Sequence, residues 1–287
     1  MGLCYGWAPQ QHATTSRRLS IAVKSSSDNN DDDSLMASLR SRMTQINDRA
    51  TKLPIVVIDS MLPRQVLSLE SDDPVFAQLL YTTILPTTDG STFGMLGMAR
   101  TSTGQTVYMK HGVEVQVLGK PNRTEMNTVQ VQLRGGRRFQ LAGELSTADE
   151  GWTEARVKFL DSKQQEQEEE AGLDPILLAQ AIMKGRELKR GETTLVDRWV
   201  ELARQNERQP GQIDQLLRDL GEIPHSTNPS ELAFWVGALI NPLPGMGVAL
   251  EIRPTLLMAK TANDRMEVAL HGIRSSIKHM EGRERLW

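Results

Sequence analysis

Near residues 161–173 the spacing of apolar residues changes from every second position to every third or fourth, which requires two kinds of packed layer in one chain. Before the change, Val113, Val115 and Val117 alternate with Glu114 and Gln116. Val129, Val131 and Leu133 alternate with Gln130 and Gln132, and Phe139 and Leu141 continue the pattern beyond Gly135-Gly136. Ala155, Val157 and Phe159 alternate with Glu154, Arg156 and Lys158. Each run gives a strand with one apolar and one polar face. Asp89-Gly90, Gly104, Gly119-Lys120-Pro121-Asn122, Gly135-Gly136 and Gly151 separate the runs as turns, so residues 52–161 read as a small barrel or sandwich of short strands. One helix interrupts them: Asp73 caps Pro74, and Val75, Phe76, Leu79 and Leu80 follow at helical spacing.

After the change, Asp174-Pro175 opens a helix. Leu195, Trp199 and Leu202 share a helical face, and Ile213, Leu216, Leu217 and Leu220 form a shorter helix ended by Gly221 and Pro224. Asn228-Pro229-Ser230-Glu231 combines a cap, a first-turn proline and a glutamate at the third helical position. Leu232, Trp235, Val236, Leu239 and Ile240 then line one face. Met266, Leu270, Ile273, Ile277 and Met280 make the last stripe. Residues 173–281 therefore read as a bundle of four or five helices, joined to the β-rich half by a charged linker over 162–172. Trp199 and Trp235 sit on apolar stripes and read as core residues.

The first 50 residues differ in kind. Residues 1–27 carry Arg17, Arg18 and Lys24, many Ser and Thr and no acid, as an organelle transit peptide does. An ordinary disordered tail is the other reading. The acidic run from Asp28 to Asp33 looks solvated, and residues 34–50 fit a short helix with Leu35, Leu39, Met43 and Ile46 on one side. The mature chain is expected to begin between Ala22 and Asp33, inside a plastid, with the mitochondrion as the alternative. Met1-Gly2 is followed by Gly6 where a myristoylation signal needs Ser or Thr.

Signatures of chemistry are missing from the sequence. At Gly119-Lys120, the nearest approach to a phosphate loop, Glu114 stands where the first glycine belongs and Pro121 where Ser or Thr belongs. His271 and His279 are too far apart on one helix to share a metal, and Cys4 is the only cysteine. No Gly-x-Ser-x-Gly turn occurs. The chain is therefore expected not to be an enzyme and to need no cofactor. Arg134, Arg137 and Arg138 flank Gly135-Gly136; they are either a patch for an acidic peptide or phosphate, or solvated and ion-paired turn residues.

Several blocks, in order, resemble Lon N-terminal (LON substrate-binding) domains. Leu53-Pro54-Ile55-Val56-Val57-Ile58, then Met61-Leu62-Pro63 and Val66-Leu67-Ser68-Leu69-Glu70, are similar to the family's opening strands. Phe93 to Met98, His111 to Val115, Leu133 to Leu141 and Trp152 to Leu160 follow its later strands, and the helices around Asn228 to Leu232 and Asn263 to Glu267 fit its helical part. Arg64 departs from the pattern, standing where a glycine is expected. The resemblance covers about residues 52–281 and implies an α+β fold, a PUA-like pseudo β-barrel followed by a C-terminal helical bundle. In full-length Lon proteins this region recognises substrates and supports assembly, while the ATPase and peptidase lie in later domains. A free-standing, organelle-type member is implied, a non-catalytic recognition module for proteins or peptides, with an organelle protease or its substrates as partners. It would bind in the groove between its halves or along a strand edge. The alternative from a different class is an RNA-binding PUA-like protein. The net charge of -3 gives no broad basic face for that, so nucleic acid is not expected as a partner.

Overall fold

The computed structural model describes residues 51–285 apart from 86–91, 101–103, 126–127, 161–172, 185–186, 189–190, 193 and 284. The expected extension over 1–50, its short helix and the linker over 162–172 lie outside the described residues.

Five strands close on themselves. β1 (Thr51–Val57) runs parallel to β3 (Thr92–Arg100), and β3 antiparallel to β4 (Thr106–Arg123). β4 pairs with β5 (Val129–Leu141), the end of β5 with β7 (Thr153–Phe159), and β7 returns to β1. β2 (Val66–Ser71) flanks the first half of β5, and the two-residue β6 (Ser146–Thr147) flanks β7. Closure removes most free edges, which is how a small sheet avoids exposing unpaired backbone. α1 (Pro74–Leu79), capped by the Asp73 carboxylate on Val75 N–H, runs into a π-helical turn, Leu80–Ile84, and plugs one side of the barrel. There Phe76 meets Phe93 edge-on at 6.1 Å over Met95, Val113 and Leu133.

Two of the expected turns are not turns. β5 runs straight through Gly135-Gly136, and between the pairs Val115↔Gly135 and Val113↔Arg138 two residues, Gly136 and Arg137, oppose the single Glu114. This is a β-bulge, which puts one extra residue in a strand and shifts the phase of its alternation. β4 likewise continues to Arg123, and Pro121 is tolerated because it lies in an irregular stretch of the ladder between Leu118 and Asn122.

The helical half comprises α2 (Leu173–Lys184), α3 (Leu195–Gln205), α4 (Gln212–Leu220), α5 (Pro229–Ile240), α6 (Arg253–Met258) and α7 (Ala262–Met280), with a minimal hairpin of β8 (Glu187–Leu188) and β9 (Gly191–Glu192). That is one helix more than the sequence suggested; α6 is too short to show a period. α2 begins at Leu173, placing Asp174 inside its first turn rather than at a cap. α3 and α7 are fixed by capping boxes, Thr194 with Asp197 and Thr261 with Asp264, which use an aspartate where the usual signature has Glu or Gln. The expected box on α5 does not form. Asn228 makes no side-chain cap, and Glu231 pairs instead with Arg64 of the β half. Nor is α5 buried on one face only: every residue but Glu231 is buried, so it is the central helix of the bundle. Trp199 and Trp235 are fully buried, donating to Ser276 Oγ and to the Gly221 carbonyl respectively.

Candidate functional site

The three arginines around the bulge do not form one patch. Arg134 is exposed and makes no ion pair among the described residues. Arg137 forks onto Glu114, its Nε 2.8 Å from Oε2 and its Nη2 3.0 Å from Oε1, and lies 3.8 Å over the ring of Phe159. Arg138 is only 4% exposed, because the bulge turns it toward the helical half. Its guanidinium donates to the carbonyls of Leu256, Leu257 and Ala259 at the end of α6 and lies over Phe234. Cations at a helix C-terminus meet the negative end of its dipole, so Arg138 is a tie between the halves.

Glu114 carries opposing influences. Burial, the largest, would raise its pKa. Hydrogen bonds from Arg137 and Thr92, with the Arg137 charge, outweigh it and leave the carboxyl below its ordinary 4.5. A carboxylate depressed by folding adds stability above its unfolded pKa, and loses it as pH falls through the folded value. Glu114→Gln should therefore destabilise the protein at pH 7. The gap to the wild type should narrow below about pH 4.5, measured as urea midpoints across an acid series. A gap that held constant down to pH 3 would show that the charge plays no part.

Further ties fill the contact between the halves. Gln65, 1% exposed, accepts from Leu62 N–H and donates to the Asn241 carbonyl at 2.8 Å. Asn241 in turn holds the Leu250 carbonyl and Ile252 N–H. Arg253 donates to the buried Ser60 carbonyl at 2.8 Å and pairs with Glu251 and Asp59. Burial works against its charge, but Glu251 and then Asp59 outweigh that and raise its pKa. Leu62 itself enters the helical core. Arg64 takes φ +68 beside it, the left-handed conformation that a glycine would adopt freely.

Open surface lies elsewhere. A cavity of about 240 Å³ is lined by Asp72, Pro74, Ala77, Gln78, Tyr81 and Arg123. One of about 470 Å³ lies between the start of β1 and the β6–β7 turn, with Trp152, Asp149 and Glu150 among its walls. Both are built from the β half alone. The outer edge of β2 and the ends of β3 and β4 beyond the barrel leave backbone unpaired among the described residues. His111, at the root of that projection, is held below the usual imidazole pKa by burial, then by Arg138 and Lys110, which keeps it neutral near pH 7. Among the described residues no three His, Cys, Asp or Glu side chains gather as metal ligands, and no helix is long and apolar enough to cross a membrane.

Comparison with known proteins gives the same region a family. The family model described as the ATP-dependent protease La (LON) substrate-binding domain matches residues 52–270, taking in both halves. Among solved structures the chain is similar to the crystal structure of a Lon N-terminal domain protein from Xanthomonas campestris, with 17% identity and a TM-score of 0.46 over 76% of this chain and 95% of that one. It is also similar to the N-terminal domain of Mycobacterium avium complex Lon protease, with 17% identity and a TM-score of 0.48 over 77% and 97%. No curated protein sequence matches.

Proposed function

This chain belongs to the LON substrate-binding domain family, and from that premise we propose that it recognises protein segments without transforming them, as an adaptor in organelle protein quality control. The match over residues 52–270 carries the reading, since it spans barrel and bundle together and names a substrate-binding part of a protease rather than its motor or peptidase. Strand edges left open by the barrel supply a physical means, because an extended segment can join them by backbone hydrogen bonds whatever its exact sequence. The acid-free, basic and Ser-rich residues 1–27 support delivery to a plastid. The RNA reading has less to rest on, since Arg137 is engaged by Glu114 and Arg138 is buried against α6.

The test uses the full chain and one labelled protein in two states, α-lactalbumin with native disulfides and the same protein reduced and carboxymethylated. Fluorescence anisotropy should show saturable binding of the unfolded form and at least about tenfold weaker binding of the native one. An RNA hairpin that bound while unfolded protein did not would replace this reading with the nucleic-acid one. The organelle part is tested separately: a fluorescent fusion of residues 1–50 should enter plastids, and one that stayed cytosolic would remove that part alone.

A further inference from the structure

β3 and β4 do not stop where the barrel does. The last backbone contact from β1 to β3 is Ile58 N–H to the Leu96 carbonyl, and pairing of β4 with β5 begins at His111↔Gln140. Between these limits and the turn, Met98, Ala99 and Arg100 pair only with Tyr108, Val107 and Thr106. The result is a two-stranded arm whose outer edges are both unpaired among the described residues. An isolated hairpin of this kind gains little from its own pairing. Its apolar side chains are only half covered: Met98 is 48%, Val107 46% and Tyr108 53% exposed. Met98 and Tyr108 are register partners, so they lie side by side on one face, with Val107 on the other.

Charge narrows what could cover the arm. From Gly97 to Lys110 it holds Arg100 and Lys110 and no acidic residue. Two such arms would bring like charges together, the usual guard against edge-to-edge self-pairing. A segment with carboxylates at alternate positions would meet opposite charge instead, while its intervening apolar residues covered Met98 and Tyr108.

We propose that the β3–β4 arm is a docking strand for extended partner segments that alternate apolar and acidic residues, added as a third strand on one of its two free edges. This rests on the protein-recognition reading above and names the surface and partner chemistry for it.

The probe is a fluorescein-labelled octapeptide alternating valine and glutamate, compared with its lysine counterpart on the full chain. The glutamate peptide should bind more tightly and weaken as salt rises. The exposed substitutions Met98→Ser and Tyr108→Ser, combined, should cost it about tenfold or more, and Lys110→Glu, which leaves Arg100 as the only cation beside one new acid, should abolish the preference for the glutamate peptide. Unchanged circular dichroism and unfolding midpoint check that the variants are folded. Equal binding of both peptides, or binding untouched by the variants, would overturn the proposal. If unfolded α-lactalbumin still bound in that case, the recognition reading would stand without the arm; if it did not bind at all, both would fall. A concentration-dependent dimer by light scattering that Met98→Ser/Tyr108→Ser abolished would instead make a second copy the occupant.

Discussion

Gly135→Ala should cost about 3 kcal/mol or prevent folding, the largest effect expected of a single added methyl group at any described glycine. A Cβ at this position would lie 2.1 Å from the Leu62 carbonyl oxygen and 3.0 Å from its carbonyl carbon. Those are backbone atoms, so no side-chain rotation relieves the contact. Nor is the Leu62–Gln65 segment free to back away. Arg64 N–H donates to the Gly135 carbonyl at 2.8 Å, Gly135 N–H donates to the Gln65 carbonyl at 2.9 Å, and Leu62 is packed in the helical core. Displacing the segment breaks both bonds and pulls on the bundle. Gly143→Ala is the control, since nothing lies within 4 Å of a Cβ there, and it should change stability by less than about 0.5 kcal/mol. Urea unfolding followed by tryptophan fluorescence reads both. Equal stability of the two variants would mean that the Leu62–Gln65 segment does not lie against β5.

Arg253→Ala should cost about 2 kcal/mol, because it leaves the buried Ser60 carbonyl without its donor and removes a side chain only 5% exposed. The cost stays below that of breaking a fully buried ion pair, since the side chains of Asp59 and Glu251 are 51% and 47% exposed and can hydrate when their partner goes. Arg253→Lys should recover only part of the loss. Nε and both terminal nitrogens of Arg253 each hold a separate acceptor, and an ammonium cannot spread over the same three directions. Because this side chain ties Ser60, just after β1, to α6, Arg253→Ala should also loosen coupling between the halves. Unfolding followed by near-ultraviolet and far-ultraviolet circular dichroism should coincide in the wild type and separate in the variant. Coincident curves with an unchanged midpoint would show that the tie contributes nothing.

The fold was legible wherever one period held over several residues. The alternations at Val113–Val117, Val129–Leu133 and Ala155–Phe159 each became a strand, and the stripes from Leu195 and Met266 each became a helix. Asp73-Pro74 opens a helix as its composition predicts, with the aspartate accepting from Val75 N–H. What failed was local chemistry that two conformations share. Gly135-Gly136 suits a turn and suits a bulge equally, and only the partner strand decides; here Glu114 opposes two residues at once. That choice settled the arginines too, since the extra residue puts Arg138 against α6 while Arg137 meets Glu114 outside. Asn228 had the composition of a cap but not the backbone angles, with its neighbour Glu231 drawn to Arg64. The ties through Gln65, Asn241 and Arg253 join positions more than 170 residues apart, beyond anything that spacing along the chain can reveal. The exposed arm was hidden for a related reason. Met98 and Tyr108 look like any other strand residues until the pairing of β1 and β5 is seen to stop short of them.

Recognition of unfolded protein is tested most directly by hydrogen–deuterium exchange on the full chain, with and without saturating reduced, carboxymethylated α-lactalbumin. Amides become protected where a partner strand or segment covers them. The account predicts slowed exchange in the β half, including peptides from residues 97–110, with the already buried α5 unchanged. Superimposable exchange at every peptide, at client concentrations where the labelled form should be fully bound, would contradict it.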